Sequence, residues 1–363
     1  MNNRLAEFKP DWEEARQRMT DWWAGRRTDR VPAYVLAPRA GFVRRKSILD
    51  VPAKYIDPAT VLHNVDCVIE SRFWGAEAFP NHMVYMGPMF CCAYLGCAPV
   101  FEAQTTWYKQ PYTDFAELKD LEFDRANQWW RLSREIVRRS AEHARGRYLV
   151  TKGSAIGAAF DLIAELIGTE ATLLAMLEHP EEMRALRDRI ISWALETYDV
   201  LYNLLQPFQD GTIDGMQVWA PGRVASNQCD LCVMISPAMF RDLVAEEMRR
   251  FFEHVDYGIY HLDGAEQIKH LDALLEIEAI KMIQFVPVTK ACDKIPRDPL
   301  KWIGLFRRII ESGRKALIYT PPERVEELLR QIPREGAFLH VGGCKDEQSA
   351  RNVIAMLEKI GVA

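Results

Sequence analysis

The sequence predicts an α/β protein: one (β/α)8 barrel of the TIM type, spanning residues 1–363, with a helical extension over residues 1–30. Three observations carry this. Eight strand-like segments occur, and most are separated by segments of helical period, the pattern of βαβ units and a parallel sheet. The chain has 363 residues and is 48% hydrophobic, enough for one large barrel. No linker, internal repeat or low-complexity tract divides it. An open doubly wound sheet is the alternative, but no Gly-x-Gly-x-x-Gly follows a strand and no P-loop is present.

The elements follow in order. Residues 1–30 read as one or two helices anchored by Trp12, Trp22 and Trp23. Val31 to Ala37 reads as the first strand, residues 58–73 as partly helical, and Met83 to Met86 as a second strand. Residues 87–124, rich in Gly, Pro, Cys and aromatics, read as a long loop. A helix over 125–145 precedes a strand at 148–153, and one long apolar helix is expected over 158–178. Proline followed by two acids at Pro180 suits a helix start, and that helix runs to about Leu205. Strands then alternate with helices: strands at 212–219, 257–263, 280–286, 315–320 and 337–342, helices at 237–254, 265–277, 299–313, 322–331 and 346–360.

Composition narrows the function. The formal net charge is -5, and the one basic run, Arg131 to Arg147, has the spacing of a solvated helix face, so nucleic acid is not expected as a partner. The N-terminal segment has no apolar signal core. No stretch approaches the ~18 apolar residues of a membrane span. A cytoplasmic protein is expected, its eight cysteines reduced rather than paired. No pattern specifies the oligomeric state.

Barrel active sites lie at the carboxyl ends of the strands. That rule selects Arg39, Trp219, His261, Asp263, Gln284, Tyr319, His340 and Cys344. The stretch Tyr257 to Gly264 is the most informative. Alternate side chains of a strand share a face, so His261 and Asp263 point the same way. A neutral imidazole and a carboxylate so placed can hold a divalent ion or act as an acid/base pair. They can equally form a structural hydrogen-bonded pair. Trp107, Trp219 and Tyr85 can line a pocket or simply pack. Cys91, Cys92 and Cys97 read as core or loop residues. Cys229-Asp-Leu-Cys232 has Cys-x-x-Cys spacing without a second pair, which favours coincidence.

The chain resembles the uroporphyrinogen decarboxylase superfamily over nearly its whole length. The resemblance rests on Gly75-Ala-Glu-Ala-Phe-Pro80, Gly168-Thr-Glu170 with His179-Pro-Glu181, Gln228-Cys-Asp230, Ile235-Ser-Pro-Ala-Met-Phe240, Tyr260-His-Leu-Asp-Gly264 and Ile283-Gln-Phe-Val-Pro287. It implies that Gln228 and Asp230 lie near the pocket. Cofactor-free decarboxylases of the superfamily carry an arginine-rich motif near the N-terminus. Here the corresponding stretch, Ala37 to Phe42, keeps Arg39 but has Phe42 for the second arginine.

The stretch downstream is more similar to the zinc-dependent corrinoid methyltransferase branch, whose ligands follow His-x-Cys and a second Cys about eighty residues on. Here His261-x-Asp263 is followed by Cys344 with 80 residues between. The resemblance therefore implies zinc, or another divalent ion, on His261, Asp263 and Cys344, with an open fourth position for a small thiol or other acceptor. His340 and Cys292 are alternative ligands. The corrinoid would come from a partner protein or as free cobalamin. Catalysis is expected from His261, Asp263 and Asp230, with Arg39, Trp107, Trp219, Gln228, Gln284 and Tyr319 around the substrate. A metal-free decarboxylase acting through Arg39 and Asp230, and a non-catalytic corrinoid-binding barrel, are the other readings.

Overall fold

In the computed structural model the described residues are 4–43, 45–287 and 298–361. They form a mixed α/β protein around a seven-stranded sheet. The strand order is Arg72–Ala76, Ala33–Pro38, Ala337–Val341, Lys315–Thr320, Ile280–Val286, Tyr257–Asp263, Val224–Asn227. Every pair is parallel except the first, in which Arg72–Ala76 runs antiparallel to Ala33–Pro38. The central strands are buried along most of their length, because helices cover the outer face and side chains fill the inner one.

Local chemistry sets the helix limits. Asp57 accepts a hydrogen bond from the Thr60 amide and Pro58 occupies the first turn of Pro58–Glu70. Asn127 caps Gln128–Ala144, whose Trp130, Ser133, Ile136, Val137, Ser140, Ala141 and Ala144 make one buried stripe of helical period. Asp346 and Ser349 close a reciprocal capping box on Glu347–Ile360. The N-terminal helix Trp12–Trp23 seals one end of the core. Trp12 meets Phe79 and Trp219 edge to face at 5.5 and 5.7 Å, and the Trp23 indole donates to the Trp219 carbonyl.

Several expectations are corrected. A continuous eight-stranded ladder does not form among the described residues. Asn81–His82 and Leu149–Val150 pair in parallel as a separate two-stranded sheet. Beside them the Gln209 amide takes the place of a neighbouring strand: it accepts from the Val150 amide and donates to the Val150 carbonyl. The expected strand over 212–219 is a hairpin, Thr212–Ile213 against Trp219–Ala220, and Val224–Asn227 is the segment that enters the sheet. Asp214-Gly215 makes the turn, with the Asp214 carboxylate accepting from the Met216 amide. The expected strand at 83–86 lies instead at Asn81–His82.

Residues 87–124 are more ordered than a loop. They contain a hairpin, Ala98–Phe101 against Thr106–Lys109, and a 3₁₀ turn, Phe90–Leu95, whose side chains are all buried. The long helix over 158–178 is two helices, broken at Gly168, whose φ of 90° is left-handed. The helix expected over 237–254 carries a π-helical turn at Phe240–Val244.

The N-terminal segment is tied to the sheet by Glu77, which is 1% exposed. Its carboxylate accepts from Arg18 at 2.7 Å, from both terminal nitrogens of Arg30 at 2.7 and 2.8 Å, and from the Ala33 amide at 2.7 Å. Glu77→Ala strands a buried guanidinium and should cost about 3–5 kcal/mol. Urea unfolding measures this, and a loss under about 1 kcal/mol would show that the ion pair is not structural.

Candidate functional site

The site is built on register. His261 and Gln284 are direct partners on adjacent parallel strands. The His261 Nδ1–H donates to the Gln284 Oε1 in a short hydrogen bond. Gln284 is fully buried, so the bond fixes the imidazole in one orientation and one tautomer. The lone pair is then on Nε2, which stands 4.0 Å from the Asp263 Oδ2. The His261 side chain is 16% exposed and that of Asp263 45%, so the pair opens toward solvent at the strand ends.

Asp230 closes the group. Gln228 donates to its Oδ2 at 2.8 Å and Gln267 to its Oδ1 at 3.4 Å. Desolvation by the surrounding walls raises its carboxyl above the usual range; His261 opposes the rise and Asp263 adds to it. The three titratable side chains therefore act on one another. Behind them, Asp161 accepts from the Asp230 and Leu231 amides, both at 2.8 Å, and pins this turn. Burial pushes Asp161 up to about 7, with Asp230 adding to the effect. Burial likewise pushes Glu247, which accepts from the Ala159 amide, up to about 8.

The other expected residues are scattered. Cys344 is buried beside the end of Ala337–Val341, three strands from Tyr257–Asp263 along the sheet, roughly 14 Å at the usual strand spacing. It lines a separate cavity of about 470 Å³ with Arg39, Arg72 and His340. Arg39 is exposed and its guanidinium lies over the Phe8 ring at 5.9 Å. His340 stacks between Tyr34 and Tyr319 and bonds Gln217, and burial keeps it neutral, down to about 4. Trp107 is exposed on a hairpin and donates to Glu102. Trp219 is core, donating to the Asp210 carbonyl. Tyr85 is partly exposed and lines a cavity with Arg72 and His82. Cys292 lies outside the described residues. Cys229 and Cys232 are free and buried in the turn behind Asp230.

Among the described residues, no group of three or more His, Cys, Asp or Glu side chains is placed to hold a metal ion. His261 and Asp263 offer two donors, and Cys344 does not join them. The three-ligand set therefore does not fit this arrangement.

Residues that the sequence did not single out also shape the site. Lys152 follows the Leu149–Val150 strand, and burial lowers its ammonium pKa. It borders a cavity of about 160 Å³ together with Ser226, Asn227 and Gln228, and Gln228 connects that cavity to Asp230. A lysine at a strand's carboxyl end was the available signal. Asp214 is fully buried and pushed up to about 6 by burial. Nothing local in the sequence marks it or Glu247 as buried.

No protein-family model matches the chain, and no curated protein matches it by sequence. The fold is similar to a solved structure, a methyltransferase from Methanosarcina mazei, with a TM-score of 0.63 and 10% identity, covering 95% of this chain and 98% of that one. At that identity the likeness concerns the fold. No helix among the described residues is long and apolar enough to cross a membrane.

The buried acids set a pH dependence. Glu247 keeps its proton in the folded state up to about 8, whereas the unfolded chain releases it near the ordinary glutamate value. Between those limits the folded state binds more protons, so stability falls as pH rises through the window. Asp161 and Asp214 act in the same direction. Glu247→Gln keeps the acceptor for Ala159 without a titratable proton. Its loss of stability between pH 6 and 9, followed by thermal unfolding, should be shallower than that of the wild type; equal slopes would show that Glu247 is ionised when folded.

Proposed function

We propose that the chain is a methyltransferase, moving a methyl group between a corrinoid and a small thiol or other acceptor at the His261, Asp263 and Asp230 cluster. In this reading the protein is a cytoplasmic (β/α)8 barrel. The two-stranded pair and the seven-stranded sheet are parts of one wall, and the corrinoid arrives on a partner protein or as free cobalamin. The observation that carries the reading is the His261–Gln284 bond, which leaves the Nε2 lone pair free, 4.0 Å from the Asp263 carboxylate at the open ends of the strands, with Asp230 within electrostatic reach of the ring. The fold shared with a methyltransferase supports it.

The corrinoid, when docked over the strand ends, supplies an electrophilic methyl group. The protein's residues prepare the acceptor. Its S–H or O–H donates to His261 Nε2, which takes the proton as the anion forms. Asp263 and Asp230 stabilise the resulting imidazolium, and Gln284 holds the ring in place. Transfer to the acceptor anion would form its bond to the methyl carbon and break the methyl's bond to the corrinoid, which would keep that electron pair. For the reverse direction His261 returns the proton.

Zinc, or another divalent ion, is a separate part of the proposal. It rests on the donors His261 and Asp263 and on Cys344 as third ligand, and it requires Cys344 to move toward the other two. Elemental analysis of the purified protein tests it: about one zinc per chain, lost in Cys344→Ser, sustains the ion. A metal-free protein that turns over removes it and leaves His261 as the base.

His261→Ala should lower methyl transfer from methylcobalamin to a panel of thiols by about 10²–10⁴-fold, the usual worth of a positioned base. Gln284→Ala should lower it by roughly tenfold, through loss of ring orientation. Wild-type rates in His261→Ala, or no transfer by the wild type to any thiol or alcohol, would sink the reading.

A further inference from the structure

A second cavity, of about 260 Å³, lies between the helix Pro58–Glu70 and the strands Arg72–Ala76 and Asn81–His82. Its lining includes two cations, Lys54 and Arg72, and no carboxylate. Lys54 is engaged, donating to the Ala103 carbonyl and lying over the Tyr55 ring at 4.5 Å. Arg72 also borders the Cys344 cavity and a third one lined by acids that include Glu14, Glu347 and Glu358, yet it makes no side-chain hydrogen bond or ion pair among the described residues and is half-buried. An unpaired guanidinium in a partly closed cavity is expensive unless an anion visits it.

The second observation is independent. His82 lines the same cavity and is 6% exposed. Neither ring nitrogen has a hydrogen-bond partner among the described residues, and Nδ1 is fully buried. Buried polar groups are ordinarily paired, so an orphaned imidazole beside a cavity marks a missing partner. Burial keeps the ring neutral, pushed down to about 3, so one of its nitrogens is a donor near pH 7.

The remaining walls supply shape. Val61, Val65, Val68, Trp74 and Met83 make an apolar side. Gln217 closes the far side with a left-handed φ of 61°, held there by the Asp214 turn and by its bond to His340 at 3.0 Å. A non-glycine residue in that conformation is strained, and such strain gathers at ligand sites.

We propose that this cavity is a binding site for a small organic carboxylate with an apolar body. The carboxylate pairs with the Arg72 guanidinium and accepts from the His82 imidazole, while the hydrocarbon part lies against the valines, Trp74 and Met83. The site is distinct from the His261 cluster and does not rest on the methyl-transfer reading.

The test is calorimetric binding of hexanoate to the full chain, without corrinoid or added metal, with hexylamine and hexanol as controls of the same length. Hexanoate should bind one to one and saturably, at least tenfold tighter than either control. Arg72→Gln should weaken hexanoate tenfold or more and leave hexanol unchanged. Val65→Trp, on the cavity-facing helix, should abolish hexanoate binding and serves as the check if Arg72→Gln does not fold. No saturable hexanoate binding, equal binding of hexylamine, or unchanged hexanoate affinity in the folded variants would overturn the site. Because the readout is binding, its failure is separable from a failed methyl-transfer assay.

Discussion

One buried carboxylate determines how the chain closes. Glu77 accepts four hydrogen bonds from Arg18, Arg30 and Ala33, and its own amide donates to the Ala33 carbonyl. Ala33 starts the strand that sits between Arg72–Ala76 and Ala337–Val341, so this node joins the N-terminal helix, the first strand of the sheet and the last. Lys9 adds a bond from its ammonium to the Ala76 carbonyl, next to Glu77. Paired charges of this kind hold position better than apolar contacts, because any other arrangement leaves a charge desolvated and alone.

With the first and last strands of the chain joined near one edge of the sheet, the functional side chains inherit their placement from strand register. His261 does not find Gln284 by flexibility; the parallel ladder sets the two side by side. The carboxylates around it are graded by environment. Asp263 is half-exposed at the rim, Asp230 is held by two amides, and Asp161 and Glu247 are buried behind them and keep their protons more readily. An imidazole nitrogen in front of acids whose carboxyls are raised by burial is a setting in which proton position responds to what binds at the mouth.

The sequence made the strand part of this legible. Period-2 alternation put His261 and Asp263 on one face, and the position of barrel sites at strand carboxyl ends selected Gln284 with them. Pro180 followed by two acids marked a helix start because that chemistry is local, and the helix does begin at Pro180. What could not be read depended on contacts far apart in the chain. Eighty residues separate Asp263 from Cys344, and that spacing does not encode which cavity the thiol enters. Trp219 looked like a strand-end aromatic, but the Asp214-Gly215 turn folds it back onto Trp12. Arg72 falls within the partly helical stretch that the sequence suggests over 58–73, whereas it opens an antiparallel strand because its pairing partner, Pro38, lies 34 positions earlier. Glu247 and Asp214 look like ordinary surface acids until packing removes their water.

The Gln209 amide beside Val150 has a further consequence. A side chain there does what a neighbouring backbone does elsewhere in the sheet, and it supplies only two bonds at a single residue. The two-stranded sheet is thus held on that side by one stitch rather than a ladder. Thermal opening should start along this seam, exchanging the amide protons of Leu149 and Val150 sooner than those of Tyr260 or Ile283, and giving the molecule a place to breathe without losing the rest of its sheet.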